Sequence, residues 1–148
     1  PFEIRPRFAV HRIEILLWGL RELRRSHWRH VDRPRIDIEC AGHLLHSSVI
    51  FNYRQHSNFP KTLECMDLEL PEQEEYLPPL ILKLIDTKSF GRKNVIATHV
   101  LTRLQEYIFR PQTSIGDKNS YSRVSHIVLN VEHAEQDEYP DAFLVTTV

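Results

Sequence analysis

Residues 86–94 read DTKSFGRKN and set one carboxylate ahead of three cations around a single Gly. An acid opening a loop between two apolar runs suits a hard metal ion, which seeks several oxygen ligands. The cations Lys88, Arg92 and Lys93 suit an anion instead, through charge-assisted hydrogen bonds. Two other stretches share this bias. Arg24 to Arg35 holds five Arg against Asp32, a net +4, and Asn52 to Lys61 adds Arg54 and Lys61. With +2 on residues 86–94, the three stretches leave −9 on the rest of a chain whose net charge is −1. The near-neutral total therefore hides a strongly dipolar pattern if the three meet in space.

Other chemistry is poorly supplied. His27 and His30 stand at a spacing used by zinc ligands, but no Cys or carboxylate pair beside them completes a four-ligand site, so a solvated basic loop is the plainer reading. With four Gly there is no phosphate-binding loop, dinucleotide fingerprint or nucleophile elbow. The chain is read as non-catalytic, with no small-molecule substrate. A nucleic-acid partner is not expected either, because no reading motif accompanies the basic cluster and the pI is about 6.9.

The elements that must carry these loops have period two. RIDIEC (35–40), CMDLEL (65–70) and HIVLNVE (126–132) alternate apolar and polar residues, the mark of half-buried strands. RIEILLW (12–18), LHSSVIF (45–51), PLILKLI (79–85), VIATHVL (95–101) and AFLVTTV (142–148) are further strands. Leu101, Leu104 and Ile108 fall at helical spacing and predict a short helix after VIATHVL, stopped by Pro111. The expected fold is all-β, an eight-stranded antiparallel β-sandwich, with residues 1–148 as one domain. Little chain precedes RIEILLW, whereas a full strand follows HIVLNVE. That favours the permuted topology in which the last strand replaces a missing first one. A start at Pro1 reads as a piece of a longer protein.

Cys40 and Cys65 are expected as buried free thiols of a reducing compartment. Trp18, inside a strand run, is expected in the core or on a sheet face. Trp28 lies amid RRSHWRHVDRPR, where it either folds back under its loop or projects as an interfacial anchor.

In order, these runs resemble a C2 domain. WGLREL, VDRPRIDIECAG, NFP, LPPLILKLID and FGRK more narrowly resemble an internal C2 domain of the ferlin family, from about Ile4 to Arg110. The resemblance implies a type II C2 sandwich. It also implies a tail-anchored, multi-C2 protein on the cytoplasmic side of a vesicle or plasma membrane, acting in membrane fusion, vesicle trafficking or membrane repair. In calcium-binding C2 domains, acids from two loops hold the ions. By that resemblance, the first-loop acid before the Pro falls on Arg33, with Asp32 one place early, and the earlier acid falls near His27. In the third loop the first acid is Asp86, the second position is Lys88 and the third is Asn94. Asp86, Asn94 and Asp32 are thus vestigial. Lys88 and Arg33 would sit where the ion should, each opposing it by several kcal/mol at ~4 Å and an effective dielectric of 20. No high-affinity calcium site and no other cofactor is expected.

The same resemblance brings the three basic loops to one end. Trp28, Arg29, Arg33, Arg54, Lys88, Phe90, Arg92 and Lys93 are then candidates to face anionic phospholipid without calcium. Phe90 either inserts or packs beneath its loop. The competing reading is an interaction or spacer module docking neighbouring C2 domains through a sheet face or an acidic loop such as EQEEY (72–76).

Overall fold

A computed structural model describes residues 5–21, 31–88, 91–109, 125–134 and 143–146. Alternating apolar residues do form strands: β1 (Phe8–Arg21), β2 (Pro34–Cys40), β3 (His43–His46), β4 (Leu63–Pro71), β5 (Leu80–Thr87), β6 (Lys93–Leu101), β7 (Ser125–Ala134) and β8 (Phe143–Thr146). They make two sheets, ordered β4-β1-β7-β8 and β3-β2-β5-β6. Ile13, Ile15, Leu17, Leu68, Leu70 and Ile127 of the first sheet share one core with Ile36, Ile38, Leu80, Leu82 and Leu84 of the second. This is the sandwich that the period of two predicts. Among the described residues no helix is long and apolar enough to cross a membrane.

Four details differ from the sequence reading. First, the sandwich is not wholly antiparallel: β1 and β7 pair in parallel, Ile13 opposite Ile127. Alternation records which face is buried and carries no information on strand direction. Residues 143–146 are paired, as the permuted arrangement requires, and lie at the outer edge of β7.

Second, β3 ends at His46, well short of Phe51. The Ser47 Oγ accepts the Ile36 N–H at 2.8 Å and donates to the Ser48 carbonyl at 2.9 Å, so a side chain takes over a ladder bond and the chain bends away. Ile50 still reaches the core, but outside regular structure. Third, the expected helix is a single 3-10 turn, Leu104–Tyr107, and Leu101 belongs to β6. Leu104 and Leu101 are both buried, so their spacing reported burial on either side of a strand end.

Fourth, the cysteines part company. Both are free, but only Cys40 is buried; Cys65 is exposed on β4, opposite Glu14 of β1. Burial pushes the Cys40 thiol up to about 11. The Cys65 thiol is also raised, first by partial desolvation and then by Glu14. A thiol reagent at neutral pH is therefore expected to label Cys65 in the folded chain and Cys40 only after denaturation, read by intact mass. Labelling of Cys40 at the same rate would contradict the packing described. Trp18 lies on a sheet face, half exposed, on the outer side of β1.

Candidate functional site

Three connections meet at one end of the sandwich: β1 to β2, described from Val31; β3 to β4, residues 47–62; and β5 to β6, residues 88–92. Backbone hydrogen bonds tie them to one another. Leu20 donates to the Ser57 carbonyl at 2.8 Å and Phe59 to the Trp18 carbonyl at 3.1 Å, anchoring the second connection on β1. Ile50 donates to the Pro34 carbonyl at 3.0 Å and Tyr53 to the Asp32 carbonyl at 3.4 Å, anchoring it on the first. The third connection is closed by Lys88 N–H to the Arg92 carbonyl at 3.1 Å. Its Gly91 has φ +73°, a left-handed conformation that a side chain disfavours.

Asp86 stands at the junction. Its residue is 2% exposed. Its Oδ1 accepts the backbone N–H groups of Arg33 at 3.0 Å and Asp32 at 3.3 Å, while Lys88 Nζ lies 3.7 Å from Oδ2. Beside it, Thr87 donates both its N–H, at 2.9 Å, and its hydroxyl, at 2.8 Å, to the Arg33 carbonyl. Both oxygens of the carboxylate thus serve the first loop and Lys88. Among the described residues no three His, Cys, Asp or Glu side chains cluster as a metal site would require.

The candidate cations separate into two groups. Arg35 and Lys61, counted in the basic stretches, are spent on acids: Arg35 Nε is 2.9 Å from Asp37 and Lys61 Nζ is 2.9 Å from Glu64. Lys88 is half-buried against Asp86. Arg54, Arg92 and Lys93 are exposed and, among the described residues, make no ion pair. The surplus charge at this end is therefore smaller than the sequence count, and among the described residues Arg54, Arg92 and Lys93 carry what remains of it.

Arg33 does something no motif announces. It is half-buried, its guanidinium lies 5.9 Å from the centre of the Phe51 ring, and its Nε has no hydrogen-bond partner among the described residues. Phe51 itself is 70% exposed, the highest value among the large apolar residues described. It passed in sequence as the last residue of a strand. The only available signal was its place before NYRQHSN, a polar run that no strand could continue. Asp32 and Asn94 are exposed, and Asn94 pairs with Asp86 only through the β5–β6 ladder. Trp28, Arg29 and Phe90 lie outside the described residues.

The chain has relatives among known proteins. Over 117 residues the chain is 38% identical to myoferlin of Homo sapiens, covering 79% of this chain and 6% of that protein. It is 34% identical over 110 residues to Fer-1-like protein 4 of Mus musculus, covering 74% and 6%. Against myoferlin of Xenopus tropicalis it is 36% identical over 127 residues, covering 86% and 7%. The chain thus spans only 6% to 7% of the length of these relatives. No protein-family profile matches it.

Proposed function

The chain is a ferlin-type C2 domain, and from that premise we propose that it is a non-catalytic module whose basic loop end faces anionic phospholipid without calcium. The protein carrying it would work in membrane trafficking, fusion or repair, on the cytoplasmic side of a vesicle or plasma membrane. One observation carries the reading: three exposed cations that make no ion pair among the described residues, Arg54, Arg92 and Lys93, share an end with the exposed Phe51 ring and its neighbour Arg33. Cations near an anionic leaflet each contribute about 1 kcal/mol, screened beyond roughly 8 Å at physiological salt. An aromatic ring beside them adds an apolar body that can enter the headgroup region.

The calcium part of the proposal rests on Asp86. Its oxygens already serve two backbone donors and an ammonium group, and a cation would have to displace Lys88. Trp28, Arg29 and Phe90 remain candidates of the same surface on sequence grounds.

Vesicle co-sedimentation tests the proposal. Phosphatidylserine vesicles should retain the chain in chelator at low salt and release it as salt rises. The double substitution Arg92→Glu, Lys93→Glu removes two cations and adds two anions, so it should weaken binding by at least about 2 kcal/mol, roughly thirtyfold or more. Equal binding by parent and variant, or binding seen only with calcium, overturns it.

A second reading has its own observation. Phe8 and Val10 at one end of β1 and Trp18 at the other project from its outer face and are exposed, with Arg12 and Glu14 between them, a mixed sheet face that a neighbouring domain would cover. On this reading the domain is an interaction or spacer module. It would ignore vesicles and bind adjacent C2 domains of its own protein.

A further inference from the structure

Among the described cations of the basic end, Arg33 is the one that faces neither open water nor an acid. Arg35, two residues on, has its Nε 2.9 Å from Asp37, and Lys88 Nζ lies 3.7 Å from Asp86. Arg54, Arg92 and Lys93 are exposed. Arg33 is half-buried and makes no ion pair among the described residues. Of its three guanidinium nitrogens, Nε alone is closed off from water without a hydrogen-bond partner. A guanidinium that has given up part of its water and gained no oxygen in return is costly to keep. The Phe51 ring, its centre 5.9 Å from Arg33 Cζ, offsets part of that cost but supplies no anion.

The pair is held in place by backbone bonds of two loops. The Arg33 N–H donates to Asp86 Oδ1 at 3.0 Å, and the Arg33 carbonyl accepts the Thr87 N–H at 2.9 Å and hydroxyl at 2.8 Å. Ile50 donates to the Pro34 carbonyl at 3.0 Å and Tyr53 to the Asp32 carbonyl at 3.4 Å. Those two bonds straddle Phe51 on one strand of chain and Arg33 on the other. Ile50 is buried in the core beside a Phe51 that is 70% exposed, so the ring is held out of the core by its own neighbour. A ligand meeting this pair has little backbone left to order.

We propose that Arg33 and Phe51 form a phosphate-binding site. The two terminal nitrogens of Arg33 donate end-on to two phosphate oxygens, and the ring lies against the apolar part of the same molecule. A guanidinium fork matches paired phosphate oxygens, which an ammonium group does not. Arg54, Arg92 and Lys93 raise the positive potential at the same end and draw the anion in. The phosphate is that of a phospholipid headgroup, because the exposed ring gains an apolar neighbour there that a free ion does not offer. For that source the inference rests on the lipid-facing proposal. It also goes beyond it, since the exposed cations read the charge of a leaflet whereas Arg33 reads one phosphate group.

The Nε–H proton of Arg33, shielded from exchange, is the reporter in a nuclear magnetic resonance titration of the parent chain, assigned by its absence in Arg33→Lys. Monomeric dihexanoyl phosphatidylserine should shift it saturably, and inorganic phosphate should do so at least about tenfold more weakly. Equal affinity for the two, unaltered in Phe51→Ala, keeps the site and assigns it to free phosphate. On phosphatidylserine vesicles, Arg33→Lys should bind at least about tenfold more weakly than the parent with the same salt dependence, because charge is kept and the fork is lost. The backbone bonds to Asp86 and Thr87 survive that substitution, so unchanged thermal melting is expected. An Nε–H resonance that moves with neither probe overturns the site, as does parental vesicle binding by Arg33→Lys. Salt-sensitive vesicle binding by the parent would then leave the lipid-facing proposal standing. Conversely, a parent that ignores vesicles while inorganic phosphate shifts the resonance would sink that proposal and keep this site.

Discussion

Replacing Asp86 with Ala is expected to destabilise the domain by about 2–4 kcal/mol. The loss has three parts. The N–H groups of Asp32 and Arg33 lose their shared acceptor, a carboxylate that is itself buried while the two donors are partly so. An unmet buried donor costs roughly 1–3 kcal/mol. Lys88, half-buried, loses the carboxylate 3.7 Å away. Asp86→Asn keeps an acceptor oxygen but not the charge, so it should lose about half as much. Chemical denaturation measures both. Hydrogen exchange at residues 32 and 33 adds a local readout, because those amides should lose protection in Asp86→Ala while β4 keeps its own. Wild-type stability in Asp86→Ala would mean that the carboxylate does not latch the first loop to the third. The additional substitution Lys88→Met separates the ion pair from the backbone bonds in a double-mutant cycle.

Leu82→Ala should cost about 3 kcal/mol, within the usual 2–5 kcal/mol for a buried Leu. Leu82 is 0% exposed and lies on β5, the strand between β2 and β6. The loss combines the transfer energy of the missing methyl groups with the cavity left behind. That cavity closes poorly, because the flanking strands are held in register by their ladders. Leu44→Ala provides the comparison: Leu44 projects from the edge strand β3, more than half exposed, and its loss should stay within about 0.5 kcal/mol. Urea unfolding should show a lower midpoint for Leu82→Ala at an unchanged slope. Equal midpoints for the two variants would place the core elsewhere.

Much of the fold was legible because it repeats. Ile36, Ile38 and Cys40 alternate with polar residues, and all three point into the core, as do Leu68 and Leu70. Period two needs only the pleat of the chain and one buried face. Alternation also sets Cys65 with Asp67 and Glu69 on the outer parity of β4, where it lies; the expectation that a free thiol is buried is what failed there. The run LHSSVIF was misread because one serine hydroxyl diverts the ladder, a decision of a single side chain that no period reports.

The candidate site was legible only as a list of charges. Arg54, Arg92 and Lys93 kept their expected exposure, but Arg35 and Lys61 turned to Asp37 and Glu64. Residue type shows that a cation is present; whether it is neutralised depends on what the fold brings within about 4 Å.

By itself, the sequence determined the all-β class, the buried face of most strands, the family resemblance and the poverty of catalytic motifs. Each follows from local pattern or residue type. Only the tertiary structure decided the parallel pairing of β1 with β7, the stacking of Arg33 on Phe51, and the use of Asp86. Asp86 and Arg33 are 53 residues apart in sequence. A carboxylate at the head of a basic loop can hold a metal, an ammonium group or a backbone, and the choice is made by whichever donor the fold delivers to it. Here the fold delivers two amides of the first loop and Lys88.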